Sequence, residues 1–409
     1  MHVLAIAIAA AALLGILFRP FRINIAWWAT GGALLLVVTG ALSPDDAGSA
    51  LARGLNVYLF LIGMMALAEF ARREDVFTWA ASVVLVAAHG SRRRLLVLIY
   101  GVGILTTAFL SNDATIVVLT PAVLDAVRRT DADPVPYVVA CALVANAASL
   151  ILPIANPSNL IFFAGKMPSL ETWFASFAAA SLASIVLTYV VLTWRLRGVL
   201  AVPLHVEGEH PAVPRPAALV MLGLGAIVLV VTAAVSGPLG AVVCGLALAA
   251  TVVAATRERT APLRIVRGIA WSVVPLTAGL FVLVDALERA GAESAGRQLF
   301  AWGEHAGGPL AALGVALATA AASNLVNNLP VGLAAGHAAT TLHPPAALVS
   351  AALVGVNVGP NFSTNGSLAT VLWLSILQRA GVAMSPWRFA AIGLVVTPPA
   401  LIAAALLAR

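Results

Sequence analysis

Charge is what this chain has least of. Only 10% of its 409 residues are Asp, Glu, Lys or Arg, far too little polar surface for a soluble protein of this length to cover its core. Lysine is almost absent, Lys166 being the single one, so arginine carries nearly all of the formal net charge of +6. The arginines fall between apolar runs, which points to loops on one side of a membrane and away from nucleic-acid binding. Two cysteines, Cys141 and Cys244, sit in separate apolar segments and say nothing about redox compartment. The sequence also lacks His-Glu-x-x-His, Gly-x-Ser-x-Gly and paired carboxylates within its apolar stretches, which argues against an intramembrane enzyme.

What is present is hydrophobic length. Apolar residues make up 61% of the chain, and runs of about 20 residues, enough to cross the hydrocarbon layer, recur from end to end. Uninterrupted spanning helices are predicted at 2–18, 23–42, 54–71, 170–196, 216–235, 237–256, 268–288 and 386–408. The first lacks a basic leader and is followed by Arg19 and Arg22, so it reads as a retained helix and not as a signal peptide. Four other apolar stretches are interrupted by polar or helix-breaking residues: 95–127 at Ser111 to Thr115, 136–165 at Pro153 to Asn159, 307–340 at Ser323 to Pro330, and 344–378 at Gly359 to Gly366. Short amphipathic segments at 75–88 and 292–305 precede the first and third.

The second half repeats the first. Arg53-Gly54 returns as Arg267-Gly268, Ser111-Asn112 as Ser323-Asn324, Asn146 as Asn357, and Asn156 with Ser158 as Asn365 with Ser367. If 95–127 and 307–340 are re-entrant hairpins, each half crosses the membrane five times, and an odd number forces the halves into opposite orientation. On that folding 18 of the 23 basic residues collect on one side, leaving Arg53, Lys166, Arg289, Arg297 and Arg409 on the other. The crowded side is then cytoplasmic, with both termini outside. The expectation is an all-α polytopic membrane protein of two inverted repeats, 1–200 and 217–409, each with one re-entrant hairpin and one broken helix. A cytoplasmic linker, 201–216, joins them. Its His205, Glu207, Glu209 and His210 read as a solvated Pro-rich loop in preference to a metal site. Glu69 with Arg72, Asp125 with Arg128, and Asp285 with Arg289 are spaced for local pairing near helix ends. His337 and His343 read as packed or interfacial.

Ten of the twelve asparagines lie in the four interrupted stretches. Unsatisfied amides in hydrocarbon cost several kcal/mol, and irregular backbone persists at that depth only around a protein-lined cavity. The candidate binding residues are therefore Ser111, Asn112, Thr115, Asn146, Asn156, Ser158, Asn159, Ser323, Asn324, Asn327, Asn328, Asn357, Thr364, Asn365 and Ser367. Asp113 is the only acid within the breaks, and an intramembrane carboxyl is by default a functional group. Burial opposes its charge while helix N-termini and amides favour it, so Asp113 is the candidate proton carrier. Leu325 stands at its counterpart in the third stretch.

These stretches resemble the arsenite efflux permease (ArsB) family of the ion-transporter superfamily. The resemblance rests on Asn112-Asp113 with Leu119-Thr120-Pro121, Ala148-Ser149-Leu150 with Ser158-Asn159-Leu160, Asn327-Asn328-x-Pro330, and Asn357-x-Gly359-Pro360 leading to Gly366-Ser367-Leu368-Ala369-Thr370 and Leu372-Trp373-Leu374. It implies export of arsenite and antimonite across the inner membrane, driven by proton entry and sometimes aided by a soluble ATPase subunit. Val358 stands where relatives carry an acid, a departure that bears on stoichiometry. Arsenous acid near neutral pH is an uncharged trihydroxy pyramid, which amide and hydroxyl side chains suit. The same fold can also serve a sodium/proton antiporter or a sodium-coupled carboxylate carrier. No cofactor is expected, and homodimerisation is left open.

Overall fold

The computed structural model describes residues 2–18, 23–163, 167–205, 214–256 and 258–409. These form helices, with no strand among the described residues beyond a lone bridge between Ser91 and Pro203. The first half comprises α1 (His2–Phe18), α2 (Ile25–Val38), α3 (Pro44–Arg53), α4 (Leu55–Arg73), α5 (Val76–Ala87), α6 (Arg92–Leu110), α7 (112–127, with a π-helical middle at Thr115–Leu119), α8 (Val135–Ala147), α9 (Pro157–Phe162) and α10 (Leu170–Arg195). The second half follows the same order: α11 (Pro216–Ala234), α12 (Leu239–Ala255), α13 (Ala261–Gly268), α14 (Val273–Leu287), α15 (Glu293–Ala306), α16 (Gly308–Val326), α17 (Asn328–Leu342), α18 (Ala346–Val358), α19 (Leu368–Arg379) and α20 (Pro386–Leu407).

Helix termini follow from local chemistry. Asn24, Ser43, Ser91, Asn156, Ser169, Ser367 and Ser385 each cap a following helix by accepting a backbone N–H, satisfying donors that have no partner in the first turn. The sequence reading missed α3 and α13. Ser43-Pro44-Asp45-Asp46 is nevertheless a start signal, with a capping hydroxyl, proline in the first turn and acids facing the helix dipole.

Packing is reciprocal between the halves. α4 packs on α12 as α14 packs on α2, α9 on α17, α19 on the π-helical part of α7, and α10 on α20. Buried apolar residues of α1–α4 and α11–α14 share one cluster, which also takes in Leu160 and Ile161 of α9, Leu329 of α17 and Leu368 of α19. Most of the remaining core of the broken stretches falls in two others, to both of which α10 and α20 contribute. α4 and α14 run antiparallel. Gly268, just before α14, lies against the Glu69 side chain near the end of α4, whereas Arg53, before the start of α4, pairs with Asp285 near the end of α14.

The first interrupted stretch is a hairpin. At its base Arg92 donates to Asp131 (3.2 Å), and Thr107 on the outgoing arm meets Thr115 on the returning arm at 2.8 Å. α6 is long and apolar enough to span a membrane by itself, so the reversal at Ser111, with φ 81°, is what makes it one arm of a pair. α16 and α17 turn at Asn327, with φ 80°, and α15 packs against both arms as α5 does against α6 and α7.

The structure corrects the register of the repeat. The reversal at Ser111 (ψ 160°) corresponds to that at Asn327 (ψ 152°), not to Ser323, which stays inside α16. Asp113 therefore corresponds to Leu329 and not to Leu325. Asn156 and Ser367 are likewise the equivalent caps of α9 and α19.

The ion pairs gather at two ends. Asp46, Arg53, Asp285 and Arg289 cluster at one, with His337 3.6 Å from Glu288. At the other, Glu69 binds Arg72 (2.6 Å) and Arg73 (2.7 Å), Arg73 reaches the Arg264 carbonyl, and Arg215 approaches Glu74 (3.8 Å). The expected Asp125–Arg128 pair is absent, because Arg128 turns to the Ala380 carbonyl just past α19. His343 ends α17 in a left-handed conformation. His205 binds Asp131 (3.2 Å). Glu207, Glu209 and His210 lie outside the described residues, as do Arg19, Arg22, Lys166 and Arg257.

Candidate substrate and proton site

Two broken helices and two hairpin turns meet at one point. Pro153 and Pro157 interrupt the second stretch, and Pro360 with Gly366 the fourth, where prolines remove backbone donors and a helix cannot continue. Two fully buried indoles brace this region. Trp173 donates to the Leu150 carbonyl at the second break (3.0 Å), and Trp373, on α19 beyond the fourth, donates to the Val138 carbonyl near the start of α8 (2.9 Å). Truncating such a residue costs about 3–5 kcal/mol. Gly366 is required where it stands, since a Cβ there would lie 2.5 Å from Pro360 Cα and 2.8 Å from Asn324 Oδ1.

The asparagines divide into two groups. One binds itself. Asn156 donates to Asn357 (2.7 Å), and Asn357 donates to Asn159 (2.9 Å) and the Leu353 carbonyl (3.0 Å). Asn159 donates to the Ser149 and Pro153 carbonyls, Asn146 to Asn361 (3.0 Å), and Asn361 to the Leu143 carbonyl. Asn324 bridges the Ala320 and Gly359 carbonyls and accepts from Ser363 (2.6 Å). Ser323 bonds back to the Thr319 carbonyl. These contacts tie α8, α9, α16 and α18 across the two halves, and Thr115 performs the same service within the first hairpin. Asn327 caps α17 and reaches the Asn365 carbonyl (3.3 Å). Thr364 is buried and lines neither cavity at Asp113.

The other group faces a shared space. Asn112, Asp113, Asn156, Asn328 and Ser367 line one small cavity, walled by Leu61, Leu329 and Leu368. The side-chain oxygens of Asn112 and Asn328 are buried without a hydrogen-bond partner, as are the Ser158 hydroxyl and, away from this cavity, the Asn146 oxygen. A buried acceptor without a donor costs about 1–3 kcal/mol, so the Asn112 and Asn328 oxygens are poised for a ligand that donates. The Asp113 carboxyl, half-buried, takes part in no hydrogen bond or ion pair among the described residues. The N-terminal ends of α7, α9, α17 and α19 all point here, setting four partial positive charges against the one carboxyl.

A second cavity, of about 40 Å³, adjoins it, sharing Leu61, Asp113, Pro157 and Leu368. It extends past Ser111 and Met64 to Glu69 beside Gly268. The first cavity is only about 10 Å³, roughly the room one water needs. This conformation thus leaves room at the site for about one water and not for a larger substrate. Glu69, expected only to pair locally, lines the path as well, because α4 runs from the scaffold cluster past the hairpin tip.

Hairpin tips and unwound helices meeting inside a helical bundle define a polytopic membrane transporter. Residues 6–357 match the family model described as citrate transporter (CitMHS), and the chain belongs to that family. The chain is 27% identical to the arsenical pump membrane protein of Escherichia coli K12, over 94% of this chain and 93% of that protein. It is also 27% identical to the uncharacterized transporter Rv2685 of Mycobacterium tuberculosis, over 91% and 90% of the two chains. Its fold is similar to that of the Alcanivorax borkumensis YdaH transporter, with a TM-score of 0.55 at 13% identity, covering 99% of this chain and 97% of that one.

Proposed function

We propose that this transporter exports arsenite, and antimonite with it, across the inner membrane in exchange for protons, by alternating access with Asp113 as proton carrier. The observation that carries the reading is the cavity where Asn112 and Asn328, one from each hairpin, meet Asp113 with unpartnered amide oxygens. Arsenous acid is a neutral triple donor, and amide oxygens accept from it without a countercharge. The similarity to proteins named as arsenical pumps supports the same substrate. The two halves are read as inverted repeats, which the antiparallel α4 and α14 support. The end bearing Arg72, Arg73 and Arg264 is placed in the cytoplasm and both termini outside.

The test is uptake of radiolabelled arsenite into everted membrane vesicles under an imposed proton gradient without ATP. Uptake abolished by an uncoupler supports proton-coupled export. No uptake, with the protein present and folded, overturns it. A sodium-coupled carboxylate carrier is the second reading, favoured by the family description and by four helix N-termini around the site. Citrate uptake requiring sodium in the same vesicles would select it.

A further inference from the structure

At the arginine-rich end, the beginning of α6 and the end of α10 enclose a cavity of about 410 Å³, whose lining includes Arg93, Arg197, Trp194, Thr193, Val190 and Leu200. Several arginines at this end are held in place: Arg92 by Asp131, Arg128 by the Ala380 carbonyl, Arg215 by Glu74 and Arg264 by Glu258. Arg93 and Arg197 take part in no hydrogen bond or ion pair among the described residues, yet both line the same space.

Arg197 is nonetheless positioned. Its guanidinium carbon lies 5.7 Å from the centroid of the Trp194 ring, a cation–π contact that uses the face of the guanidinium and leaves its edge N–H groups free for an anion. Trp194 is 56% exposed, the placement of an aromatic at the headgroup level of a bilayer. Below it Val190, 49% exposed, continues the wall along the apolar surface of α10. The Thr193 hydroxyl is turned back to the Tyr189 and Val190 carbonyls and does not compete for a ligand.

We propose that this cavity is a binding site for an anionic phospholipid. The phosphate sits between Arg93 and Arg197, the glycerol backbone passes Trp194, and an acyl chain follows Val190. Two unneutralised guanidiniums select a headgroup with net negative charge, because the choline cation of a zwitterionic lipid would sit among like charges. The room exceeds what a lone phosphate group fills, and its apolar wall continues onto the lipid-facing side of α10. A diacyl lipid fits both features and a free phosphate only one.

The test is native mass spectrometry of the delipidated full-length protein in detergent, titrated with phosphatidylglycerol and separately with phosphatidylcholine. Wild type should retain phosphatidylglycerol preferentially. Arg93→Gln and Arg197→Gln should each weaken that binding about fivefold, and the pair about 25-fold, from the usual contribution of one cation near an anionic surface. Retention of phosphatidylcholine should be unchanged, which also reports an intact fold. Arg259→Gln with Arg267→Gln, which removes the same charge outside the cavity, should leave phosphatidylglycerol binding as in wild type. Equal retention of the two lipids by wild type, an equal loss in the control pair, or displacement of bound phosphatidylglycerol by inorganic phosphate would each overturn the proposal.

Discussion

Asn357 and Asn112 are both buried amides in broken stretches, yet the structure assigns them opposite consequences. Asn357→Ala removes three hydrogen bonds, from Asn156 and to Asn159 and the Leu353 carbonyl. Asn156 keeps Ser149 as acceptor (3.2 Å), whereas the Asn159 side-chain oxygen loses the donor it has. Interhelical hydrogen bonds in membranes average about 0.6 kcal/mol, so the two that leave α18 amount to about 1, the Leu353 bond lying within the helix. The orphaned oxygen adds about 1 kcal/mol at the low end of its range, giving a loss of about 2 kcal/mol. Asn112→Ala removes an oxygen that has no partner, so it breaks no bond to that atom, and relief of the unmet acceptor, about 1–3 kcal/mol, offsets the packing it loses; it should not melt below wild type. Thermal melting of the detergent-solubilised variants measures both quantities, and arsenite uptake into everted vesicles measures what each variant does to transport. Asn357→Ala should melt well below wild type. Asn112→Ala and Asn328→Ala should melt no lower than wild type and fail to transport. The division of the asparagines is refuted if Asn112→Ala melts as low as Asn357→Ala, or if the double tip variant transports at the wild-type rate.

Asp113→Asn should insert and fold normally but abolish uncoupler-sensitive arsenite uptake, and full activity would remove Asp113 from the coupling role. Gly366→Ala should cost about 1–3 kcal/mol, the usual penalty for overpacking, seen as a lower melting temperature, because backbone at Pro360 cannot yield as a flexible side chain would. At the linker, the His205 backbone N–H donates to Asp131 (3.1 Å). That bond, then the His205 ring and Arg92, hold the Asp131 carboxyl below its usual range. A lowered value in the folded state means docking favoured above the ordinary carboxylate range and lost as pH falls through the lowered one. The hydrogen-exchange protection factor of the His205 amide should drop on that acidification, and Asp131→Asn should abolish most of it at neutral pH. Protection in Asp131→Asn equal to wild type would contradict this.

Much of the architecture was legible because the bilayer imposes it. A helix that must satisfy its own backbone in hydrocarbon shows as an apolar run of fixed length. For that reason 170–196 and 216–235 were placed to within one residue of α10 and α11. The hairpins enter the sequence reading as an assumption at the polar interruptions, and the one-sided distribution of arginine supports it. What periodicity could not supply was register. Ser323-Asn324 matches Ser111-Asn112 letter for letter, yet the chain turns at Asn327, because Ser111 and Asn327 both take a backbone conformation usually confined to glycine, held by the surrounding structure and not announced by the residue type. α3 and α13 escaped because they are too short to span, so hydropathy gave them no signal.

The sequence by itself determined the class of protein, the four interruptions, the concentration of amides within them and the isolation of Asp113 as their one acid. These depend on composition along the chain and on a solvent that tolerates few polar groups. Only the tertiary structure decided which amides are bonded to one another and which face the cavity at Asp113. Asn159, Asn324 and Asn357 find partners from the opposite half or from a distant turn, while Asn112 and Asn328 are brought together on one cavity with unsatisfied oxygens. A hydrogen bond between residues some two hundred positions apart leaves no trace in local pattern, so satisfaction, unlike hydrophobicity, has to be read in three dimensions.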